Sequence, residues 1–104
     1  MPKRRKRGPS TERNLVQFAA EVRAARAVLG WSQTELARRT AVTQRAIYCI
    51  EQNIVRPRKQ TEERIIGAFT DAGLRFERLS NDGFKITVPS EAIAKPHRGS
   101  GRAK

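Results

Sequence analysis

Two short amphipathic segments near the middle of the chain constrain the fold more than any other feature. One follows Ser32 and covers residues 33–39, and the other follows Thr43 and covers residues 44–52. Ser and Thr favour the start of a helix because their hydroxyl oxygen accepts a hydrogen bond from an unpaired backbone N–H. Glu35, three residues after Ser32, completes the pattern of a capping box. Helices of about two turns are unstable in water, so both segments need a scaffold.

Two longer segments with helical periodicity flank this pair and predict the scaffold. The first covers residues 12–29 and ends at Gly30, and the second opens at Thr61 and ends at Gly73. Glycine commonly follows the last turn of a helix because it adopts the left-handed conformation without strain. Apolar residues recur at helical spacing in both segments and predict the core faces: Leu15, Phe18, Ala19, Val22 and Leu29 in the first, and Ile65, Ile66, Phe69 and Ala72 in the second.

A change of period after Gly73 predicts a β-hairpin with strands at residues 74–79 and 84–88. Apolar and polar residues alternate there, and Asn81-Asp82-Gly83 forms a strong tight-turn signal between the strands. Leu79 breaks the alternation, which indicates a bulge or an early end of the strand. Pro89 ends the second strand, and we expect residues 90–104 to form a disordered basic tail.

The predicted fold is therefore mainly α, with four helices followed by a C-terminal β-hairpin. The two short helices and the turn between them form a helix-turn-helix, whose second helix can enter the major groove of DNA. With Ile47 and Ile50 directed inward, Gln44, Arg45 and Cys49 turn outward together. Gln reads adenine and Arg reads guanine through paired hydrogen bonds, and a small apolar group can contact the thymine methyl.

Four motifs follow one another in a fixed order along residues 15–73. They are Arg26-Ala-Val-Leu-Gly-Trp-Ser-Gln33-Thr-Glu-Leu-Ala37, Val42-Thr-Gln-Arg-Ala-Ile47, Ile50-Glu51 and Arg56-Pro57. As a set they resemble the phage-repressor and Cro type of helix-turn-helix, the xenobiotic-response-element family. The resemblance implies a lambda-repressor-like domain at residues 11–73. It also implies a regulator of transcription that binds double-stranded DNA without a cofactor, more often as a repressor or autorepressor than as an activator.

The resemblance also assigns roles to individual residues. Gln33 matches a glutamine that holds a phosphate, and Arg26 and Glu51 match a partly buried ion pair between the first and third helices. Tyr48 is predicted either to touch a phosphate or to pack on a neighbouring side chain. The remaining matches are the groove-facing positions Thr43, Gln44, Arg45 and Cys49, and the backbone-contacting loop positions Arg56 and Arg58.

Three departures from the family pattern bear on the fold. Ala41 and Asn53 stand where the family usually has glycine, and the predicted hairpin replaces the usual fifth helix. If the turn at Ala41 needs a positive φ, alanine costs about 1 kcal/mol there. The sequence names no element that covers the apolar face of the hairpin at residues 74–89. We therefore expect it either to pack on the fourth helix or to pair with a second copy, which would make a homodimer.

Positive charge is concentrated at the two ends of the chain. Lys and Arg number 22 against 10 Asp and Glu, for a net charge of +12. Residues 1–10 are predicted to form a disordered basic arm whose cations contact nucleic acid: Lys3, Arg4, Arg5, Lys6 and Arg7. Residues 95–104 carry four more cations and no acid, so residues 10–94 are nearly balanced.

Several classes of function lack the residues they need. One cysteine, Cys49, and one histidine, His97, exclude an internal disulfide and argue against a metal centre. We find no phosphate-binding loop or nucleophile–base pair, so we expect no enzyme and no cofactor. No apolar run approaches the ~18 residues that span a membrane, and we expect a cytoplasmic, nucleoid-associated protein.

Two other functions stay open at this stage. The chain can be an antitoxin or another accessory DNA-binding protein that acts with a partner protein, and co-purification of a second small protein would support this. It can also bind RNA or ribosomes through its basic arms, in which case it should prefer structured RNA to duplex DNA.

Overall fold

A computed structural model describes residues 15–94, which form four helices, a two-stranded antiparallel sheet and a final turn of 3₁₀ helix. The predicted fold class is confirmed. The elements are α1 (Leu15–Leu29), α2 (Gln33–Thr40), α3 (Gln44–Glu51), α4 (Lys59–Asp71), β1 (Arg75–Arg78), β2 (Phe84–Thr87) and the 3₁₀ turn (Ser90–Ala92). The basic arm at residues 1–10, residues 12–14 of the predicted first helix, and residues 95–104 lie outside the described residues.

Both predicted N-caps of the short helices are confirmed. The Ser32 hydroxyl accepts from the Glu35 backbone N–H at 2.9 Å, and the Thr43 hydroxyl accepts from the Ala46 N–H at 3.0 Å. The carboxylate half of the capping box is wrong, because the Glu35 side chain accepts from Arg38 and Arg39 instead. Both arginines lie one turn further along the same helix, where side chains three and four residues apart are neighbours.

Two turns require a left-handed backbone at residues other than glycine. Ala41 ends α2 with φ 58°, and its N–H donates to the carbonyl of Ala37. Asn53, two residues after the end of α3, has φ 62°. The expected strain at Ala41 is therefore present, whereas asparagine adopts this conformation more readily than alanine.

The start of α4 differs from the prediction. The helix begins at Lys59, two residues before Thr61, and Arg58 is its N-cap without a side-chain hydrogen bond. The first helical bond joins the Glu62 N–H to the Arg58 carbonyl at 2.9 Å. Pro57 has no backbone N–H to donate, and Arg58 after it is extended (φ −64°, ψ 154°), so the helix begins at Lys59 without a Ser or Thr cap. Thr61 was expected to open the helix with Glu62 and Glu63 in its first turn, but with the start at Lys59 only Glu62 stands there.

The core lies where the four helices meet. Its largest fully buried apolar side chains are Phe18, Leu36, Ile47, Ile65, Phe69 and Leu74. Trp31 packs on this core, with its ring 5.8 Å from that of Phe69. The core thus joins α2 and α3 to both long helices, as their shortness requires.

The hairpin is covered by the same molecule. Phe76, Ile86 and Val88 pack against the helical core, and the Phe76 ring lies 5.9 Å from that of Phe69. Arg78 at the end of β1 donates to the Gln17 side chain on α1 at 2.6 Å. The strand ends at Arg78, one residue before Leu79, so of the two predicted outcomes at Leu79 the early end of the strand is the one observed. Of the two expected arrangements, packing within the chain is the one adopted, so covering the hairpin does not require a second copy.

The prediction of a tail disordered from residue 90 is wrong for residues 90–94. They form the 3₁₀ turn and return to α1, where the Ala94 N–H donates to the Val28 carbonyl at 2.9 Å. Ala92 packs against the core, and this burial is the physical reason for the order.

Candidate nucleic-acid interface

The outer surface of α3 presents the side chains that the sequence singles out. Ile47 and Ile50 point into the core, whereas Thr43, Gln44 and Arg45 at the N-terminal end of the helix are exposed. The exposed N-terminal end is the part of such a helix that approaches base edges in the major groove.

The other two predicted positions on α3 differ from each other in solvent exposure. Tyr48 is exposed, with 43% of its surface accessible. Cys49 carries a free thiol and is only partly exposed, so its side chain is less accessible from solvent than those of Gln44 and Arg45.

A buried carboxylate lies behind this surface. Glu51, at the end of α3, is 2% exposed and pairs with Arg26 of α1 through two hydrogen bonds, of 2.5 and 2.8 Å. Arg26 also donates to the Trp31 carbonyl, and Arg23 donates to the Glu51 carbonyl. These bonds fix the end of α3 against α1, as the resemblance implied for Arg26 and Glu51.

Two glutamines extend this ion pair to the exposed surface. The Gln33 side-chain NH₂ at the start of α2 donates to Glu51 at 3.0 Å, and its oxygen accepts from the Gln44 side chain at 2.9 Å. An ionised carboxylate can only accept hydrogen bonds, so Gln33 must turn its NH₂ toward Glu51 and its oxygen toward Gln44. Gln44 must then turn its own NH₂ toward Gln33. The buried charge thus sets the orientation of both amides.

Hydrogen bonding shifts two pKa values around this site. The hydrogen bonds to Glu51 raise the pKa of the Arg26 guanidinium, so this guanidinium stays charged at any physiological pH. On α2, the hydrogen bond from Arg38 lowers the pKa of the Glu35 carboxyl, with a further contribution from Arg39. Arg39 also lies over the Trp31 ring at 4.2 Å from its centre, a favourable cation–π geometry.

The loop between α3 and α4 contains the predicted backbone-contacting cations. Arg56 and Arg58 are exposed on either side of Pro57. The same loop exposes Ile54 and Val55, with Ile54 accessible over 61% of its surface. The sequence analysis did not single out these two apolar residues, although their position among polar neighbours is visible in the sequence.

The structure brings most, but not all, of the predicted residues to one region. Gln33, Thr43, Gln44 and Arg45 lie around the junction of α2 and α3, and Arg56 and Arg58 follow the far end of α3. Lys3, Arg4 and Arg5 of the basic arm are outside the described residues.

The hydrogen bond between Gln33 and Gln44 is the feature of the candidate site that the sequence analysis missed. The two residues were assigned separate roles, and no local pattern joins them. They belong to different helices, so their contact depends on how α2 and α3 cross.

Two further observations concern residues 15–94. They contain no group of three or more His, Cys, Asp or Glu side chains suited to a metal ion. None of their helices is both long and apolar enough to cross a membrane.

Comparison of the chain with protein-family models, curated proteins and solved structures finds no match.

Proposed function

We propose that this chain is a sequence-specific regulator of transcription that reads the major groove of duplex DNA with the helix at residues 44–52. The single observation that carries the proposal is the chain of hydrogen bonds from Glu51 through Gln33 to Gln44. It leaves an exposed amide in a fixed orientation at the start of a helix whose inner face packs in the core and whose outer face is exposed.

The hydrogen-bonding groups left on Gln44 match adenine. One of its two amide N–H groups is used by Gln33, so one N–H and the carbonyl oxygen remain. Adenine offers one acceptor, N7, and one N–H donor, at N6, on its major-groove edge. Arg45, exposed beside Gln44, has the paired donors that guanine N7 and O6 require.

The groups left on Gln33 suit the DNA backbone. Its second amide N–H is not needed by Glu51 and can donate to a phosphate oxygen. The α2 N-terminus adds unpaired backbone N–H groups and a favourable dipole for an anion. Arg56 and Arg58 would hold the backbone at the other end of α3. Backbone contacts of this kind set the register in which the base contacts are made.

Repression, and autorepression in particular, is the form of regulation that we propose. This part rests on the resemblance to phage repressors, as does the homodimer. Two copies would place two recognition helices at half-sites one turn of DNA apart, roughly 34 Å.

The decisive experiment is selection of bound duplexes from a random pool, followed by affinity measurements with variants. We expect one preferred half-site, and a palindrome if the chain is a dimer. Gln44→Ala and Arg45→Ala should each cost about 1–3 kcal/mol on the selected duplex and little on random DNA. Gln60→Ala, which removes an exposed glutamine from α4, is the matched control and should lose little binding free energy on either the selected duplex or random DNA.

The proposal fails if no duplex is enriched, or if the Gln44 and Arg45 variants lose equal affinity for both kinds of DNA. A preference for structured RNA over the selected duplex would favour the RNA-binding alternative.

The basic arm provides a separate test of the same function. Deletion of residues 1–8 removes Lys3, Arg4, Arg5, Lys6 and Arg7, so the slope of log affinity against log salt should become shallower by up to about 4–5 units. The preferred site should stay the same. A changed site would mean that the arm itself reads bases in the minor groove.

An accessory role with a partner protein is the second candidate, and exposed apolar side chains favour it. Val16, 63% exposed, lines an open groove with Asn53, and the exposed Ile54 follows directly. An antitoxin or similar protein would cover such a surface with its partner. Co-purification of one small protein, lost in a Val16→Ser/Ile54→Ser variant, would support this function.

A further inference from the structure

The hairpin has a covered face but an open edge. β2 lies against α1, whereas β1 makes no comparably extensive contact with any described helix. The sheet has only these two strands, so β1 has a neighbouring strand on one side only. The outer edge of β1 is the side that faces away from β2. An open edge presents backbone groups that can pair with another strand.

The turn of the hairpin shows which residues of β1 bond to β2. The Leu79 N–H donates to the Gly83 carbonyl at 3.0 Å, so these two residues form a hydrogen-bonded pair. Along an antiparallel ladder such pairs alternate with pairs whose backbone groups point away from each other. Glu77 and Arg75 follow Leu79 at this spacing and therefore bond to β2.

The residues between them turn their backbone groups to the outer edge. Among residues 15–94, none hydrogen-bonds to the backbone N–H or carbonyl of Phe76 or Arg78. The Leu74 carbonyl points the same way, whereas the Leu74 N–H donates to the Phe69 carbonyl at 3.1 Å. The Phe76 side chain packs against the core, so this residue offers a partner only its backbone. The outer edge thus presents both donors and acceptors to a second strand.

The charges beside this edge select the partner. Arg75 and Glu77 lie on the exposed face of β1, and opposite charges directly across two strands attract each other. Pairing of β1 with its own copy around a two-fold axis can be centred on any of its four residues. Centring on Arg75, Glu77 or Arg78 places that charge opposite itself. Centring on Phe76 instead places each Arg75 opposite Glu77 of the second copy.

The same centre also matches the backbone groups. Phe76 of each copy would form a hydrogen-bonded pair with Phe76 of the other, and each Arg78 N–H would donate to the Leu74 carbonyl of the second copy. The Leu74 N–H, which already donates to Phe69, takes no part. Hydrogen bonding and charge therefore favour one register.

We propose that the outer edge of β1 binds the same edge of a second copy, antiparallel and centred on Phe76, so that the two hairpins form one continuous sheet. The inference rests on the homodimer of the proposed function, which followed from the family resemblance alone, and it identifies the surface that joins the copies. The shared ladder is short, and contacts of small area are weak in solution. Binding to two linked half-sites raises the effective concentration of the copies, so DNA should strengthen the dimer.

Amide hydrogen exchange, measured by NMR on the full chain, observes the proposed bonds directly. The Phe76 and Arg78 amides should exchange several-fold more slowly at ~1 mM than at ~20 µM protein, because exchange then requires the dimer to open. On the selected palindrome they should be slower still. The Glu77 amide, bonded to β2, should be protected at both concentrations, and the Ile86 amide on the other edge of the sheet should not respond.

Charge variants test the register, with sedimentation equilibrium of the full chain as the measurement. Arg75→Glu and Glu77→Arg each place like charges opposite one another twice, so the dimer dissociation constant should rise about 10-fold. The exchanged variant Arg75→Glu/Glu77→Arg should restore most of the affinity. Lys85→Glu is the matched control, because it reverses a cation of the same hairpin on β2 and breaks the Lys85–Glu77 pair of 3.4 Å. It should change the dissociation constant by no more than about twofold.

Two substitutions of Arg78 test the backbone bonds. Arg78→Pro and Arg78→Ala both lose the side-chain bond to Gln17, but only proline also removes the N–H at the outer edge. Proline is tolerated on an edge strand where its nitrogen faces outward. The proline variant should therefore dimerise about 10-fold more weakly than the alanine variant, since the dimer loses one bond at each end.

The inference is overturned if the Phe76 and Arg78 amides exchange equally fast at both concentrations and on the palindrome. It is also overturned if the exchanged double variant dimerises as weakly as its single variants, or if proline and alanine at position 78 have equal effects.

Binding to a single half-site separates these outcomes from failure of the proposed function. Arg75→Glu should bind a half-site as tightly as Lys85→Glu, which has the same net charge, and should lose only cooperative binding to the palindrome. If no duplex is selected, the proposed function fails, and amide exchange and sedimentation of the free chain decide the inference.

Discussion

Removal of Arg26 is the perturbation that tests most directly how the domain is held together. In Arg26→Met the Glu51 carboxylate, 2% exposed, loses two hydrogen bonds and its opposite charge. Breaking a buried ion pair from one side costs about 3–5 kcal/mol, because the remaining charge stays buried without its counter-charge; here only the Gln33 amide would still donate to it. The total free energy of unfolding of a native protein is only about 5–15 kcal/mol. We therefore expect the midpoint of thermal unfolding to fall by about 12 °C or more.

Two other variants separate the charge pairing from the remaining contacts. Arg23→Met removes the bond to the Glu51 carbonyl from the same helix but spares the carboxylate, so it should cost about 1 kcal/mol. The double variant Arg26→Met/Glu51→Met removes both charges and should recover most of the stability lost in Arg26→Met. It should not recover adenine discrimination, because Gln33 loses the acceptor that orients it.

Urea unfolding of these three variants and of the single variant Glu51→Met, with binding to the selected and random duplexes, measures both effects. The reasoning is refuted if Arg26→Met costs less than about 1 kcal/mol, or if the double variant is as unstable as the sum of its two single variants. Recovery of full discrimination in the folded double variant would show that Gln44 does not depend on the buried carboxylate.

Three further predictions concern the rest of the domain. Ala41→Gly should raise the free energy of unfolding by about 1 kcal/mol in urea, since it relieves a left-handed backbone; no gain would contradict this. Phe76→Ala should cost about 3 kcal/mol because its ring packs on Phe69, whereas Leu79→Ala at the exposed end of the hairpin should cost within ~0.5 kcal/mol; equal costs would mean that the hairpin is not packed. Glu35 should titrate below its ordinary pKa of 4.5, so its contribution to stability is present above pH 4.5 and is lost as the pH falls through the lowered pKa; NMR should find the pKa raised in Arg38→Gln, and an unchanged value would exclude the ion pair.

Local signals in the sequence determined most of the helices and turns. Ser32 and Thr43 cap α2 and α3 as expected, because a cap depends on a hydroxyl and an N–H only three residues away. The turn before β2 is equally local, with the Asn81 side chain accepting from the Gly83 N–H at 3.0 Å. Helical periodicity also identified the core face of α3, where Ile47 and Ile50 are buried.

The predictions from sequence that were wrong concern places where several contacts compete, or where a residue distant in the chain determines the structure. The Glu35 carboxylate was predicted to accept from a backbone N–H, but it accepts from two arginines on the same helix instead. The start of α4 was misplaced because Thr61 matches a capping signal, whereas the entry through Pro57 and Arg58 precedes it.

The exposed face of α3 was predictable from residue spacing, but the orientation of its side chains was not. Periodicity placed Gln44 outward, yet it carries no information about Gln33, which reaches it from another helix. The packing of Phe76 on Phe69 and the return of Ala94 to Val28 are likewise contacts between residues beyond the reach of such local signals, seven and 66 positions apart. Sequence alone thus determined the elements, since their signals act within about four residues. Tertiary structure decided which elements meet, because that depends on the burial of shared apolar surface and on the pairing of a buried charge.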